Sequence, residues 1–426
     1  MKILLTSSFF PPYSFGGDAN HVKDLATLLA EKGNEVIVFF FHDPYYVMDK
    51  VKYWEKTSSG STHVSDNEFS VIPNKLSTHP SKNIYSTYIF GNSKEYLSKF
   101  IEIVEKFKPD VVHHHNVSLI GYEILQKISS SYINIYTAHD FWLICSQNSL
   151  LKYGKQVCRT RNCNLCQLSR RLPPQLWRSS NNFLQAVNTI DGIICPSEFM
   201  RNKLSNQLSY SGSYTVLRNF SNYELRELDD ENVSNRFTNN TLLFVGKIES
   251  LKGIFKLIDA LTLINNKLIN KWKLIIVGSG KESTKLENQI QQDYITNHDK
   301  VEIQYRGFVT DTELVNLRDQ ATYAVLPSLW FENGPLVAIE AMALGLPVIS
   351  TNMGGLKELT VDNQLLIEVE EFNEQLLEVL NNLNDFSIYK ELAVKTLDLF
   401  KKNYTPVVFY ERYTNLIRNM MSKNKD

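Results

Sequence analysis

Glu332 and Glu340 have the types and spacing to hold two parts of one polar ligand. They lie in the segment Leu326–Ser350, in which Gly334 allows a close backbone approach and Pro335 is predicted to start a helix. The first turn of a helix presents free N–H groups and a partial positive charge, which favour a phosphate or a sugar hydroxyl. Eight helical residues span about 12 Å, so the two carboxylates cannot flank one glycosidic bond as an acid–base pair.

Lys247 and Lys252 are the cations best placed to meet an anionic ligand. They follow a predicted strand that ends at Val245, with Gly246 opening the turn and Gly253 starting the next helix. Two cations beside a helix N-terminus suit the charge of a departing nucleoside diphosphate. The alternative is a solvated pair of surface lysines.

Together these motifs closely resemble the donor site of the family 4 retaining glycosyltransferases, which have the GT-B fold. The resemblance rests on Glu332-x7-Glu340 with Gly-Pro after the first Glu, and on the run Glu-Ala-Met-Ala-x-Gly-x-Pro-Val-Ile that begins at Glu340. It implies that Glu332 touches the donor sugar near the reacting centre and that Glu340 holds the ribose of the nucleotide. It also implies that Lys247 and Lys252 contact the pyrophosphate, with Lys247 standing where the family usually has Arg.

The same resemblance adds loop residues to the expected donor site. These residues are Gly307, Phe308, Val309, Asn333, Gly334, Pro335 and Leu336. The Gly-x-Gly of Gly278 and Gly280 is weak evidence, because structural turns explain it as well as ligand contacts do. The loop Asn352–Glu358 resembles the family's Gly-Gly-x-x-Glu loop, and Asn219 resembles an Asn at the family's domain crossover.

The first half of the chain carries a glycine loop and a histidine that resemble the family's other site elements. Gly16 and Gly17 follow the first predicted strand, and in the family this loop borders the donor phosphates and the acceptor. His139 ends a predicted strand in a Thr-Ala-His-Asp run and is expected near the donor sugar. The resemblance therefore makes Glu332, His139 and Lys252 the expected catalytic residues.

Three consecutive histidines, His113, His114 and His115, end another predicted strand. Neighbouring side chains in a strand point to opposite faces, so this run is not expected to bind one metal ion. We expect His115 or Asn116 to line the acceptor side of the site.

Four of the five cysteines fall in one insertion with the spacing Cys-x12-Cys-x4-Cys-x2-Cys. The thiolates of Cys145, Cys158, Cys163 and Cys166 are a suitable tetrahedral set for structural zinc. Unligated thiols are the alternative, and both interpretations stay open. The insertion also carries basic residues, which predict either contact with an anionic acceptor or membrane surface or a solvated loop: Arg159, Arg161, Arg170, Arg171 and Arg178.

Short apolar runs alternate with amphipathic stretches in both halves, which predicts two doubly wound, Rossmann-like α/β domains facing a cleft. We predict strands at Lys2–Thr6, Glu35–Phe41, Asp110–His114, Tyr132–Thr137, Gly192–Cys195, Tyr214–Leu217, Thr241–Val245, Lys273–Val277, Val301–Tyr305, Tyr323–Leu326 and Pro347–Ser350. We predict helices at Asn20–Lys32, Lys94–Phe107, Leu119–Ile128 and Val407–Met421, and helices that start near Gly253, Asp311 and Pro335.

The predicted domains are an acceptor-binding part and a donor-binding part joined by a polar linker at Asn219–Asn240. The acceptor-binding domain covers residues 1–220, with the cysteine insertion at 141–178 and a helix at 405–426 that packs back on it. The donor-binding domain covers residues 236–404.

The composition limits the partners of the chain. A formal net charge of −1 over 426 residues gives no overall field that favours nucleic acid. No run of about 18 apolar residues occurs, and the N-terminal apolar run is too short for a signal peptide. We therefore expect a cytoplasmic protein. Contact with the inner face of the membrane through Arg159, Arg161, Arg170 and Arg171 stays open beside a solvated basic loop.

These features predict an enzyme that moves a hexosyl group from a nucleoside diphosphate sugar to a glycan or lipid-linked acceptor hydroxyl. As the resemblance implies, the anomeric configuration is retained and no catalytic metal is needed. The expected setting is bacterial surface polysaccharide or glycoconjugate synthesis. The alternatives are another GT-B enzyme, such as a sugar phosphorylase or nucleotide-sugar epimerase, and a non-catalytic sugar-binding protein. A dehydrogenase is disfavoured because the Gly-x-Gly-x-x-Gly fingerprint is not completed.

Overall fold

The computed structural model describes residues 1–14, 16–49, 70–74, 79–225, 227–295, 299–382 and 385–423. The chain divides into two compact units. The first contains Met1–Arg218 and the C-terminal segment from Phe409, and the second contains Asn219–Val408. Each unit has its own parallel sheet and helices, so the predicted α/β class with two doubly wound domains is confirmed.

Within its described residues, the first unit is built on a seven-stranded parallel sheet. Its strands are β1 (Lys2–Thr6), β2 (Glu35–Phe41), β3 (Ser70–Asn74), β4 (Val111–His114), β5 (Ile133–Thr137), β8 (Gly192–Cys195) and β9 (Ser213–Val216). The spatial order β3-β2-β1-β4-β5-β8-β9 changes direction between β1 and β4. Every residue of β4 and β5 is buried, as expected for a parallel sheet covered on both faces.

The helices of the first unit lie between these strands. They are α1 (Gly17–Glu31), α2 (Asp43–Asp49), α3 (Pro80–Phe90), α4 (Lys94–Phe107), α5 (Cys163–Ser169), α6 (Asn181–Asn188) and α7 (Glu198–Ser205). Ser93, Ser180 and Ser197 fix where three of them begin, because each hydroxyl accepts a backbone N–H of the first turn. A small antiparallel pair, β6 (Leu151–Lys152) and β7 (Gln156–Val157), precedes α5.

The second unit repeats the pattern with a six-stranded parallel sheet in its described residues, in the order β12-β11-β10-β13-β14-β15. Its strands are β10 (Thr241–Val245), β11 (Trp272–Val277), β12 (Val301–Gly307), β13 (Tyr323–Leu326), β14 (Val348–Thr351) and β15 (Leu366–Ile367). Its helices are α8 (Asp230–Thr238), α9 (Ile254–Ile264), α10 (Ser283–Ile295), α11 (Asp311–Gln320), α12 (Leu336–Ala343), α13 (Phe372–Asn382) and α14 (Phe386–Asn403).

The last helix, α15 (Pro406–Lys423), begins in the second unit and belongs to the first from Phe409 onward. The ring of Phe409 lies 5.9 Å from the ring of His21. Tyr413 is fully buried, and its hydroxyl is 3.2 Å from Nδ1 of His113. Residues 424–426 of the predicted C-terminal helix lie outside the described residues. None of the described helices is long and apolar enough to cross a membrane.

Two predicted elements differ from the structure. The helix expected at Leu119–Ile128 is wrong, because only Tyr122–Leu125 forms a 3₁₀ turn. Gly121 has a φ of +110° and packs so closely on Gly91 that an added Cβ would lie 2.7 Å from its carbonyl oxygen, and this conformation is not helical.

The second difference concerns the predicted linker at Asn219–Asn240. Helix α8 occupies much of this segment and is part of the second unit. Arg236 explains why the helix packs there despite its polar sequence. Its buried guanidinium donates to Leu344 O at 2.7 Å and to Asp319 O at 3.3 Å.

Replacing Tyr413 with alanine tests the packing of α15 on the first unit. We expect a loss of about 3–5 kcal/mol of stability, because a fully buried aromatic ring is removed. The measurement is the thermal transition of the first unit, followed by circular dichroism and calorimetry. Glu411→Ala, at an exposed position of the same helix, is the control, and equal transitions for both variants would contradict the expected packing.

Candidate functional site

Glu332 lies in the loop between β13 and α12 of the second unit, where it is 9% exposed. Three donors converge on its Oε1: Lys252 Nζ at 2.7 Å, Trp330 Nε1 at 2.7 Å and the Ser328 hydroxyl at 3.0 Å. Lys252 Nζ also lies 5.0 Å from the centre of the Trp330 ring. The structure thus brings together two of the predicted catalytic residues, which are 80 positions apart in the chain.

A close backbone contact positions Lys252. Gly253 follows it with a φ of +78°, and a Cβ at this position would lie 1.7 Å from the carbonyl oxygen of Pro327. The Leu329 N–H donates to Leu251 O at 2.9 Å and ties the two loops together. Only glycine allows the turn of Lys252 to lie this close to the end of β13.

The pKa of the Glu332 carboxyl is lowered although the group is buried. Burial is the largest influence and by itself would raise this pKa. The charge of Lys252 and the hydrogen bonds from Lys252, Trp330 and Ser328 outweigh it. Glu332 is therefore ionised at neutral pH and is fixed by donors on one of its oxygens.

The backbone of Glu332 is held by the loop Asn352–Glu358. Its carbonyl oxygen accepts the Gly355 N–H at 2.6 Å, and its N–H donates to Met353 O at 3.4 Å. Gly354 has a φ of +76°, and a Cβ there would lie 2.4 Å from the Glu332 carbonyl oxygen. The loop that resembles the family's Gly-Gly-x-x-Glu motif therefore supports Glu332.

Glycines also join three loops at the carboxyl ends of β10, β11 and β12. An added Cβ on Gly278 would lie 1.9 Å from Gly246 O, and one on Gly280 would lie 2.4 Å from Ile248 O. The Gly278 N–H donates to Gly307 O at 2.7 Å. Loop packing thus accounts for the Gly-x-Gly pattern without a ligand.

Two predicted donor contacts are open to solvent on these loops. Lys247 is exposed after β10, and Phe308 is 86% exposed after β12. An aromatic ring this exposed at the carboxyl end of a strand offers a face to a planar group such as a nucleobase. Val309 beside it is partly buried and packs against the core of the second unit.

Glu340 lies on α12 and contacts Arg318, which is 1% exposed. Arg318 Nη2 donates to Glu340 Oε2, and its guanidinium lies 5.0 Å from the ring centre of Tyr223. The structure therefore gives Glu340 a buried cationic partner of its own. No pattern near Arg318 in the sequence indicates this contact.

The start of α12 is held by a residue from the beginning of the second unit. Asn219 Nδ2 donates to the carbonyl oxygen of Gly334 at 2.9 Å, and Gly334 has a φ of +112°. Pro335 is the N-cap residue, and the helix begins at Leu336, one residue later than predicted. Asn333, Gly334, Pro335 and Leu336 are partly buried, and they follow Glu332 directly in the chain.

His139 lies after β5 in the first unit and forms a cluster with His115 and His21. Its Nε2 is 2.9 Å from Nδ1 of His115, and its ring centroid is 5.2 Å from that of His21. Burial lowers the pKa of His139 to about 4, and that of His115 well below its ordinary value. All three rings are neutral at pH 7, since burial also holds the pKa of His21 well below its ordinary value.

Among the residues that the structure describes, this histidine cluster is the group whose metal-ligating atoms all lie within 4.8 Å of one another. Neutral imidazoles are suitable ligands for several transition metals. The 2.9 Å contact between His115 and His139 also fits a hydrogen bond from one imidazole N–H to the other ring. Sequence spacing indicated His139 but not His21, which precedes it by more than one hundred residues.

The side chains of His113, His114 and His115, at the end of β4, contact different partners, as strand geometry predicts. His113 Nε2 is 2.7 Å from the Thr137 hydroxyl, whereas His114 Nδ1 is 2.8 Å from the Thr6 hydroxyl. His115 meets His139 instead. The three neighbours therefore do not share a ligand.

The glycine loop after β1 is tied to the end of β4. Gly16 has a φ of +105°, Gly17 begins α1, and both are exposed. The Asp18 carboxylate accepts Asn116 Nδ2 at 2.9 Å, and Ser8 N–H donates to Asn116 O at 2.5 Å. Parallel strands end at one edge of the sheet, so this loop and His139 lie at the same edge.

Asp140, which follows His139 at this edge, is a titrating group. Burial raises its pKa to about 7, and the Asp18 carboxylate adds to the rise. The Trp142 N–H, which donates to its Oδ1 at 2.8 Å, opposes it. Asp140 therefore exchanges a proton near neutral pH, where ordinary carboxyl groups are fully ionised.

The four predicted metal-ligating cysteines are free thiols in the first unit. Cys145 is buried in the turn after β5, and Cys158 follows β7. Cys163 and Cys166 both lie on α5, and Cys166 is buried.

Two family models match the two units of this chain. The model described as Glycosyltransferase Family 4 matches residues 15–223, and the model described as Glycosyl transferases group 1 matches residues 226–392. The chain belongs to this family of glycosyltransferases.

Full-length similarities agree with this assignment. The chain is 27% identical over 365 residues to an uncharacterized glycosyltransferase of Methanocaldococcus jannaschii, which covers 84% of this chain and 82% of the relative. Sucrose-phosphate synthase of Thermosynechococcus elongatus superposes with a TM-score of 0.72 and 19% identity over 99% of both chains. HepE of Anabaena in complex with UDP-glucose superposes with a TM-score of 0.62 and 14% identity, over 98% of this chain and 100% of HepE. At these identities the two solved structures show the shared fold.

Replacing Lys252 with methionine tests the electrostatics of Glu332. We expect a loss of about 2–4 kcal/mol at pH 7, because a buried carboxylate loses its cation. In the wild type the lowered pKa of Glu332 makes stability fall as the pH drops through that pKa. In the variant burial dominates and raises the pKa, so stability increases as the pH falls.

The measurement is the unfolding midpoint of the second unit between neutral and acidic pH. Lys252→Met combined with Glu332→Gln should recover stability, because no buried charge remains. Lys247→Met, at an exposed position of the same loop, is the matched control. Parallel pH profiles for the wild type and Lys252→Met would show that the ion pair does not control the charge of Glu332.

Proposed function

We propose that this glycosyltransferase moves a hexosyl group from a nucleoside diphosphate sugar to a hydroxyl of a glycan or lipid-linked acceptor, with retention at the anomeric carbon. The observation that carries the proposal is the ion pair between the buried Glu332 and the partly buried Lys252, in the unit matched by the group 1 model. A fixed carboxylate beside a fixed cation suits the two sides of the bond that breaks, the sugar and its diphosphate. The fold shared with HepE, whose structure holds UDP-glucose, supports this class of donor.

On the phosphate side, negative charge develops on the leaving diphosphate. Lys252 and Lys247 are the cations that we assign to this charge, with free N–H groups at the start of α12 as further donors. Lys252 is oriented by Glu332 and by the Trp330 ring, so little reorganisation accompanies its contact with the phosphate.

On the sugar side, the three donors to Glu332 all bind Oε1. We assign Oε2 to a hydroxyl of the donor sugar, because the fixed Oε1 orients this oxygen. His139 is assigned to the same sugar as a neutral hydrogen-bonding partner, since an imidazole with a pKa of about 4 adds no positive charge at pH 7.

On the nucleoside side, we assign Glu340 to the ribose hydroxyls and Phe308 to the base. Arg318 fixes Oε2 of Glu340, which orients Oε1 for a ribose hydroxyl. Gly307 and Val309 flank the exposed ring of Phe308 and define where it stands.

The proposed reaction forms a bond between the acceptor oxygen and the anomeric carbon and breaks the bond from that carbon to the diphosphate. The acceptor attacks from the face that the diphosphate leaves, and its proton passes to the departing phosphate oxygen. No protein nucleophile and no catalytic metal take part. Retention follows because the new bond forms on the same face as the old one.

We also propose that the first unit contacts an anionic membrane surface, where a lipid-linked acceptor would lie. Residues 141–190 contain no Asp or Glu and seven basic residues: Lys152, Lys155, Arg159, Arg161, Arg170, Arg171 and Arg178. Four leucines of the same segment are exposed: Leu165, Leu168, Leu172 and Leu176. Exposed apolar side chains within a basic surface favour binding to anionic headgroups.

The donor assignment is tested by the release of nucleoside diphosphate from a panel of UDP-, GDP- and ADP-hexoses. We expect slow hydrolysis of one donor by the wild type. Lys252→Ala and Glu332→Ala should each lower kcat by about 10²–10³-fold, because each removes a group fixed at the breaking bond. Lys271→Ala and Glu287→Ala, at exposed positions of the same unit, are the matched controls.

Activity that survives in both site variants would overturn the role of the pair, and binding without turnover of any donor would favour a sugar-binding protein.

Retention is tested separately, with an acceptor library and the donor that the wild type hydrolyses. The anomeric configuration of the first product, read by NMR before mutarotation, should equal that of the donor. An inverted product would refute attack from the leaving-group face.

Membrane contact is tested by sedimentation with vesicles of phosphatidylglycerol and phosphatidylcholine. Arg159→Glu combined with Arg171→Glu should weaken binding more than tenfold, because each basic residue near the surface contributes about 1 kcal/mol. Lys267→Glu combined with Lys271→Glu makes the same charge change in the second unit and should bind like the wild type. Equal losses in both double variants would mean that net charge, and not this surface, drives binding.

A further inference from the structure

A cavity of about 320 Å³ lies in the first unit, between the cysteine insertion, helix α6 and the segment that follows α7. Ser146 lines it from the turn after β5, Cys163 from α5, Phe183 from α6 and Gln207 from the segment after α7. The residues that line it all belong to the first unit, so the donor-site loops of the second unit do not contribute to it. Its volume is in the range of small-molecule binding sites.

Arg161 and Arg178 are the charged residues that line this cavity, and none of its described lining residues is Asp or Glu. The whole segment 141–190 contains no carboxylate side chain. Arg161 is exposed and is held to the wall, because its Nη2 donates to Gln207 Oε1 at 2.6 Å. A concave surface lined by cations of one sign attracts an anion.

Arg178 is held in one orientation by its neighbours. Its Nε donates to Gln175 Oε1 at 2.5 Å, its Nη1 donates to Trp142 O, and its guanidinium lies 4.5 Å from the ring centre of Trp177. Its Nη2 is buried and, within the described part of the chain, has no hydrogen-bond partner. An oxyanion in the cavity would give this nitrogen an acceptor at little cost in side-chain ordering.

Asp140 influences Arg178 but does not take the place of a ligand. Among the described residues its carboxyl forms no ion pair with Arg178, and it does not line the cavity. With a pKa of about 7, Asp140 is ionised in only about half of the molecules at neutral pH. Burial lowers the pKa of Arg178 to about 10, and the neighbouring Cys145 and Asp140 oppose this effect without cancelling it. A further anion would therefore stabilise the charged guanidinium.

The other lining residues suit a less polar body attached to the anion. Leu143 and Phe183 give the cavity an apolar wall, and Asn164 and Ser209 give it neutral polar groups. Cys163 does not repel an anion, because burial, as the main cause, raises the pKa of its thiol and keeps it neutral at pH 7. A phosphate ester combines several anionic oxygens with an organic body in this way.

We infer that this cavity binds the phosphate group of a phosphate ester, with Arg161 and Arg178 as its cationic partners. Guanidinium N–H groups match the oxygens of a phosphate, so the unpaired Nη2 of Arg178 donates to one oxygen and Arg161 donates to another. The organic part of the ester lies against the apolar wall. The ester is the headgroup of an anionic lipid or a soluble molecule, since both carry the same phosphate.

The first measurement is the binding of glycerol 3-phosphate to the whole chain, by isothermal titration calorimetry in a buffer without phosphate. We expect a dissociation constant of about 1 mM or below. Arg161→Gln should weaken binding about tenfold or more, because it removes a charge-assisted hydrogen bond at an exposed position. Arg159→Gln, which is exposed in the same insertion but does not line the cavity, is the matched control.

Two further variants define the site. Arg178→Gln should weaken binding about 100-fold, and its thermal transition, measured beside that of Arg161→Gln, shows whether the fold is kept. Lys252→Ala, in the proposed donor site, should bind glycerol 3-phosphate like the wild type, because its cation belongs to the other unit.

Vesicles of phosphatidylcholine with phosphatidic acid identify the source of the phosphate. Leu165 and Leu176 are exposed beside the lining residues Asn164 and Gln175, which makes a lipid the expected source. This expectation rests on the membrane contact proposed above. Glycerol 3-phosphate should then displace the chain from the vesicles, and Arg161→Gln should bind them more weakly than Arg159→Gln. Vesicle binding that glycerol 3-phosphate leaves unchanged would assign the cavity to a soluble phosphate ester.

The inference is overturned if the wild type does not bind glycerol 3-phosphate in the millimolar range and Arg161→Gln binds the vesicles as tightly as Arg159→Gln. It is equally overturned if Lys252→Ala loses the binding of glycerol 3-phosphate while Arg161→Gln keeps it, because the phosphate would then belong to the second unit. Neither result decides the donor assignment, which the release of nucleoside diphosphate tests by itself.

Discussion

Glu332 keeps its negative charge in a buried loop because Lys252 reaches it, and Lys252 reaches it because Gly253 has no side chain. The backbone of Glu332 is held by a second loop. This loop can pair with it because Gly354 has no side chain. Two loops from distant parts of the chain are thus fixed by backbone contacts that exclude even a methyl group. The other donor-site assignments depend on this loop. It continues into α12, on which Glu340 accepts a hydrogen bond from Arg318.

The two units hold the ionisable residues of their candidate sites in different charge states. The second unit keeps Glu332 ionised by surrounding one oxygen with donors. At the candidate site of the first unit, burial instead keeps His21, His115 and His139 neutral and raises the pKa of Asp140 to about 7. A sugar has many hydroxyls and no charge, whereas its diphosphate is an anion. For the donor that we propose, a neutral His139 suits an uncharged sugar hydroxyl, and Lys252 suits the diphosphate.

The sequence predicted the strands well because parallel strands buried on both faces are continuous apolar runs, and β1, β2, β8, β10 and β13 have the predicted bounds. The motifs also indicated Glu332 and Lys252 as site residues, but they did not predict that the two side chains pair. The sequence missed Ser328, Trp330 and Arg318, since contacts made by distant or irregular segments leave no periodic pattern. The false helix at Leu119–Ile128 has the same origin: the close packing of Gly121 on Gly91 is a tertiary contact that local propensity does not contain.

Helix α15 returns to the first unit only after the entire second unit has been traversed. Tyr413 is therefore translated 300 residues after His113, its partner in the folded unit. At about 5–20 residues per second, a ribosome leaves His113 without this partner for roughly 15–60 s. All residues of the second unit emerge during that interval, so the unit that begins the polypeptide is the one whose core is closed last.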